Sequence, residues 1–201
     1  MSIPVHFNGS LLNIMAGGSS GGIPSTCPSP TTILTQAFDN TGAGYISQFD
    51  TAGGGLGDFS KSYENFSFVH GALVTDVHWT GGIQTPGGED AVTGWTIQFW
   101  TDNAGQPGTL IQGQDFLAAA VTAVHIGVVG PIDAFAYSVN VTQFIADAGV
   151  TFWISIQAQL RLPEEWFWAT AGAGTCWQVL FGAGASQPNN LALDLTGCLG
   201  S

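Results

Sequence analysis

The stretch Gly94-Trp95-Thr96-Ile97-Gln98-Phe99-Trp100-Thr101-Asp102-Asn103-Ala104-Gly105-Gln106-Pro107-Gly108 decides the fold class. Trp95, Ile97 and Phe99 alternate with Thr96, Gln98 and Trp100. A period of two is the signature of a strand with one buried face. The alternation stops at Asp102-Asn103-Ala104-Gly105, where Asn and Gly tolerate positive φ and so support a turn. A return strand is expected from about Thr109 to Gln114.

The same pattern recurs on both sides. Phe66 and Phe68, then Leu73, Thr75, Val77 and Trp79, alternate with polar or smaller neighbours. Phe135, Tyr137, Val139 and Val141 form one face of a further strand, and Phe152, Ile154, Ile156 and Ala158 form another. Trp166 and Trp168, then Trp177, Val179 and Phe181, then Leu191, Leu193 and Leu195 complete the series. About ten strands are expected, with one helical turn between Thr142 and Gly149 and loops at Ala171 to Gly174 and Gly182 to Ser186. Many short alternating strands separated by Gly/Pro turns predict an all-β sandwich, or a jelly-roll-like variant, over residues 31–201.

Residues 1–30 read differently. Ile3, Val5 and Phe7 alternate, Leu11, Leu12 and Ile14 follow, and Gly17-Gly18-Ser19-Ser20-Gly21-Gly22 has the composition of a flexible hinge. Pro24, Pro28 and Pro30 close the segment, which is expected to be an extended N-terminal arm.

Charge narrows the function classes. The 201 residues hold only 2 Lys+Arg against 14 Asp+Glu, a formal net charge of −12. Nucleic acid and anionic lipid need cationic groups to bind, so both are excluded as partners. Only 8% of residues are charged, against about 25% in typical soluble domains. The surface must therefore be built from Ser, Thr, Asn, Gln and Gly, as in many secreted proteins. With almost no Lys, strand edges lack their usual protection against pairing. No run of 18 apolar residues occurs, so no membrane insertion is expected. The N-terminus has no basic region and no uninterrupted apolar core, so export would need a leader already removed or a different route.

Three cysteines leave at least one unpaired within the chain. Cys27 precedes the first strand and Cys198 follows the last, and these strands are often neighbours in a sandwich. A Cys27–Cys198 bridge is therefore preferred over three separate thiols. Cys176, inside a strand-like run, reads as a small buried hydrophobe.

From about Tyr63 to Gly197 the chain resembles a β-sandwich domain of secreted bacterial proteins, the cell-surface "choice-of-anchor" type. The resemblance rests on Glu64-Asn65-Phe66-Ser67-Phe68, on Val77-His78-Trp79 with Gly81-Gly82-Ile83, and on Ile97-Gln98-Phe99-Trp100. It continues through the turn Asp102 to Gly108, Phe152-Trp153-Ile154-Ser155-Ile156 and Trp168-Ala169-Thr170. It implies an extracellular structural or adhesive setting and no chemistry. The sequence reaches Ser201 without an apolar tail, so retention at a cell surface is expected to come from assembly rather than a covalent anchor.

Candidate sites are few. Gly17-x-Ser19-x-Gly21 matches a hydrolase elbow, but that motif needs a strand before it and a helix after it, and here it lies in the hinge. Asp76 and His78 share a strand face, with no nucleophile placed beside them by sequence. No catalytic constellation emerges, and the chain is read as not an enzyme. Asp39, Asn40, Asp50 and Asp58 lie in Gly-rich loops and offer the hard oxygen donors that calcium takes. Trp100 and Trp153 fall on the polar faces of their strands. With Trp166 and Trp168 they could stack on sugar rings or anchor a protein interface.

These readings predict a structural subunit of an extracellular filament or surface assembly, with other copies of itself as partners. The apolar residues Ile3, Val5, Phe7, Leu11, Leu12 and Ile14 of the arm would add a strand to a neighbouring subunit. The alternative is a polysaccharide-binding or adhesion module built on Trp100, Trp153, Trp166 and Trp168.

Overall fold

The computed structural model describes residues 22–84, 91–130 and 132–201. These form thirteen strands and one 3-10 turn at Ala118–Ala120. The all-β reading is correct, and the strands make one curled, largely antiparallel sheet folded into two facing layers.

The first layer contains β1 (Thr31–Gln36), β5 (Ala72–Ile83), β8 (Thr122–Val129), β9 (Ile132–Ala146) and β13 (Leu193–Leu199). Their order is β1-β13-β5-β9-β8, all antiparallel. The second layer contains β4 (Gly57–Phe66), β6 (Gly94–Asp102), β7 (Pro107–Leu117), β10 (Phe152–Leu160) and β12 (Ala183–Leu191). Two short strands, β2 (Gly44–Ile46) and β3 (Gln48–Asp50), lie at the seam. The strand β11 (Trp166–Leu180) belongs to both layers. Its first residues pair with β5 and β2, and its later ones pair with β4 and β12. Register shifts on either side of Ala173 let it turn the corner, and Gly172, at φ 83°, supplies the left-handed residue the bend requires.

The inward residues of the two layers meet as aromatics. Trp79 and Tyr137 of the first layer pack on Trp95 of the second at 5.2 and 4.7 Å between ring centroids. Phe144 stacks on Phe99 at 4.2 Å, with Phe66 and Phe152 against its edge. Most of these are residues that the period-two pattern assigned to the core.

Three local expectations are corrected. Residues 142–146 continue β9 rather than forming a helical turn. Ala171 to Gly174 lies within β11. Of the second expected loop only Gly182 stays in a turn, and Ala183 to Ser186 belongs to β12. Small residues there read as linkers because they pack little; the strands exist because each is laddered to a neighbour. Cys27 and Cys198 are disulfide-bonded, tying the segment before β1 to β13.

Candidate functional site

The outer face of the first layer carries a groove of about 230 Å³. Its floor follows from strand register. Asp194 of β13 lies opposite His78 of β5, His78 lies opposite Ser138 of β9, and Ser138 lies opposite Thr122 of β8. Inward-pointing Trp79, Tyr137 and Leu193 flank this row, so the row itself faces out. Cross-strand Cβ atoms on one face are about 4.5–5.5 Å apart, which makes a carboxylate, an imidazole and two hydroxyls immediate neighbours. The adjoining row is small: Thr80 lies opposite Ala136, and Ala136 opposite Val124. Short side chains there create the depression, while Gln36 and Phe38 form one bank and Val124 the other.

His78 shares its face of β5 with Asp76, as expected, but its cross-strand neighbour is Asp194, while Asp76 Oδ2 accepts a hydrogen bond from Thr75 Oγ1 at 2.6 Å. Ser138 and Asp194 could not be found from sequence, because their proximity depends on the register of three strands distant along the chain. Among the described residues no side-chain hydrogen bond joins His78, Ser138 and Asp194, and Asp194 Oδ1 and Gln36 Oε1 are buried without a donor. Asp194, His78 and Ser138 sit on strands laddered on both sides, whereas Thr122 sits on β8.

Beside the groove, β8 is the edge of its layer. Among the described residues it pairs on one side only, with β9. Val124, Ile126 and Val128 are 56%, 45% and 66% exposed. The other edges are guarded. Gln112 and Gln114 of β7 reach across to β9: Gln112 Nε2 donates to Thr142 O, and Thr142 N–H donates to Gln114 Oε1. β12 contains Pro188, which has no N–H to offer a ladder. β1 follows Pro30 and is anchored by the disulfide. β8 has neither Lys, Arg nor Pro, and its one irregularity is a register shift between His125 and Gly127.

Of the expected calcium ligands, Asp39 and Asn40 lie outside the strands, Asp50 ends β3 and Asp58 lies in β4. Among the described residues no three His, Cys, Asp or Glu side chains converge. Asp39 pins the corner of β11, accepting from Thr170 Oγ1 at 2.7 Å, Gly172 N–H at 2.9 Å, and Thr41 N–H and Oγ1 at 3.0 and 2.8 Å. Burial works to raise its pKa, but the hydrogen bonds from Thr170, Thr41 and Gly172 outweigh it and hold the carboxyl below its usual range. Asp50 closes its own loop by accepting from the N–H groups of Ala52 and Leu56. Asp58 accepts from Gln157 Nε2 at 2.6 Å and pairs with Lys61 at 3.1 Å. Asn40 adopts φ 57°, a left-handed conformation that Asn tolerates.

The tryptophans are also corrected. Trp153, Trp166 and Trp168 are 2%, 0% and 0% exposed, so none offers a ring face to solvent. Trp153 looked outward by alternation, but β10 is covered on both faces and the indole N–H is held by Asp102 at 2.8 Å. Trp168 donates to Ala192 O. Trp100 is half-buried between Tyr63, Lys61 and Ser155.

A buried acid was not anticipated. Glu64 of β4 is 0% exposed, accepting from Leu191 N–H at 2.6 Å and Gln36 Nε2 at 3.1 Å, with no cation beside it. Burial pushes its pKa up to about 8, against the pull of those hydrogen bonds. Cys176, its cross-strand neighbour, is a buried thiol pushed up to about 12 by burial and then by the Glu64 charge, which makes it a poor nucleophile.

The expected interface residues Ile3, Val5, Phe7, Leu11, Leu12 and Ile14 lie outside the described residues. Among those described, no helix is long and apolar enough to cross a membrane. No protein-family model matches the chain, and no curated protein or solved structure matches it either.

Proposed function

We propose that this protein is a structural subunit of an extracellular or cell-surface assembly, joined to its neighbours by strand addition at β8. The observation that carries the reading is the unguarded apolar edge: three exposed β-branched side chains on a strand with no Lys, Arg or Pro. A free edge of that kind is a template for another chain. The Cys27–Cys198 bridge supports an oxidising setting, where such bonds persist.

The occupant proposed is the arm of a second copy. Its segment Ile3-Pro4-Val5-His6-Phe7 suits the task. In an extended strand, alternate residues direct their backbone groups to opposite sides. If Ile3, Val5 and Phe7 pair with β8, the missing N–H of Pro4 faces away and costs no ladder bond. Head-to-tail addition of this kind builds filaments unless the rotation closes a ring.

The test compares three proteins by light scattering and negative-stain microscopy: the full chain, a chain lacking residues 1–21, and a full chain carrying Val124→Lys and Val128→Lys. The reading requires polymers from the full chain alone. A full chain that stays monomeric at millimolar concentration would refute it. Polymers that persist in both altered proteins would do the same.

A further inference from the structure

We propose that the groove over Asp194, His78 and Ser138 is a binding site for one neutral sugar ring. The site lies on the sheet face, so it does not depend on what pairs with the β8 edge. At about 230 Å³ it is smaller than the roughly 300–1,000 Å³ of sites for drug-sized molecules. It therefore takes a single ring rather than an extended ligand.

The polar set selects the chemistry. A carboxylate accepts, an imidazole can donate or accept, and the hydroxyls of Ser138, Thr80 and Thr122 do both. Vicinal hydroxyls of a sugar are the complementary set, each acting as donor and acceptor at spacings that two adjacent strands can match. Asp194 Oδ1 lacks a donor at present. A buried unsatisfied acceptor is costly, and a small reorientation of the side chain lets a ligand hydroxyl satisfy it. Phe38 on the bank and Ala136 on the floor give the apolar surface that the C–H face of a sugar needs.

Charge sets the specificity. Asp194 has no cationic partner, since Lys61 is paired with Asp58 and no other ion pair reaches the groove among the described residues. With a net charge of −12, the site should reject uronic acids and phosphosugars. An amine ligand would also find this carboxylate attractive, but it would leave most of the hydroxyl donors without acceptors.

Amide chemical-shift mapping on the folded chain distinguishes these cases. The probes are methyl glucoside, methyl galactoside, methyl N-acetylglucosaminide, methyl glucuronide and lysine methyl ester. At least one neutral glycoside should shift the amides of His78, Ser138 and Asp194, with millimolar affinity, and the glucuronide should not. Asp194→Asn should weaken that glycoside at least tenfold. Ser138→Ala should weaken it several-fold, and Phe181→Ala, on a distant exposed surface, should leave it unchanged. Spectra of the unbound variants establish that the fold is intact. The proposal is overturned if no neutral glycoside moves these amides, if Asp194→Asn binds as well as the parent, or if only the lysine ester binds.

Discussion

Replacing Glu64 by glutamine should stabilise the protein, and increasingly so as the pH rises. The carboxyl is fully buried, accepts two N–H hydrogen bonds and has no cation near it. Burial raises its pKa from 4.5 to about 8. Between those values the native state keeps a proton that the unfolded chain releases. Stability from this group is therefore complete below about pH 4.5 and declines as the pH rises toward about 8, then levels off. A rise of that size corresponds to about 5 kcal/mol between pH 4.5 and pH 9. The substituted amide would keep a carbonyl for Leu191 N–H and turn its NH₂ toward Gln36, whose Oε1 is now buried without a donor.

The assay is guanidinium unfolding of parent and Glu64→Gln at half-unit steps from pH 5 to pH 9. With a slope of about 4–5 kcal/mol per molar for a chain of this size, the parent midpoint should fall by about 1 M across the range. Contributions common to both proteins cancel in the difference. The two midpoints should nearly coincide at pH 5 and diverge up to about pH 8, with the variant higher, and then run parallel. A constant difference across the range, or a parent whose stability rises with pH relative to the variant, would refute the reasoning.

Reduction of the disulfide, or Cys27→Ser with Cys198→Ser, frees a connection spanning 171 residues; chain entropy predicts a loss of about 5 kcal/mol, read as a matching drop in denaturation midpoint for both treatments. Asp39→Asn should lower the melting temperature at pH 6, where the carboxylate holds the β11 corner, and the deficit should shrink below about pH 4 as the parent carboxyl takes up its proton and loses the same stabilisation. Phe144→Ala removes a ring stacked on Phe99 and edged by Phe66 and Phe152, and should cost about 3–5 kcal/mol by chemical denaturation. Asp102→Ala leaves the buried Trp153 N–H without its acceptor and should cost about 1–3 kcal/mol, with altered tryptophan emission.

The core was legible because it is a periodic property of single strands. Trp79, Trp95, Phe99, Tyr137 and Ile154 could be placed inward one strand at a time, and the structure buries all of them. The Cys27–Cys198 bridge was legible for a related reason: it needed only the first and last strands to be neighbours, and β1 pairs with β13. What depends on register was not legible. The pairing of His78 with Asp194 and Ser138 is fixed by two separate ladders, and no local pattern reports it. Trp153 misled because alternation assigns a side chain to a face but not what covers that face. The roles of Asp39, Asp50 and Asp58 were not legible because carboxylates near turns look alike in sequence whether they await a cation or already hold the backbone.

Those carboxylates explain how so little charge can serve the whole molecule. A sheet folded into two layers leaves backbone groups unpaired wherever strands change partners, and each must be met from elsewhere. Asp39 meets Gly172 N–H where β11 bends, and Glu64 meets Leu191 N–H where the chain leaves β12 for the other layer. Gln157 does the equivalent at the fork where β3 enters between β4 and β10, donating to Gln48 O and Ser60 O. Asp50 and Asp102 spend oxygens in the same way on neighbouring N–H groups. Asp50 and Glu64, which are buried, add little to the surface charge that keeps molecules apart. A protein that had to remain dispersed among other chains would need that protection on β8. Its absence from an edge with three exposed apolar β-branched residues, Val124, Ile126 and Val128, is what favours the proposal that association is the purpose of the edge rather than a defect in it.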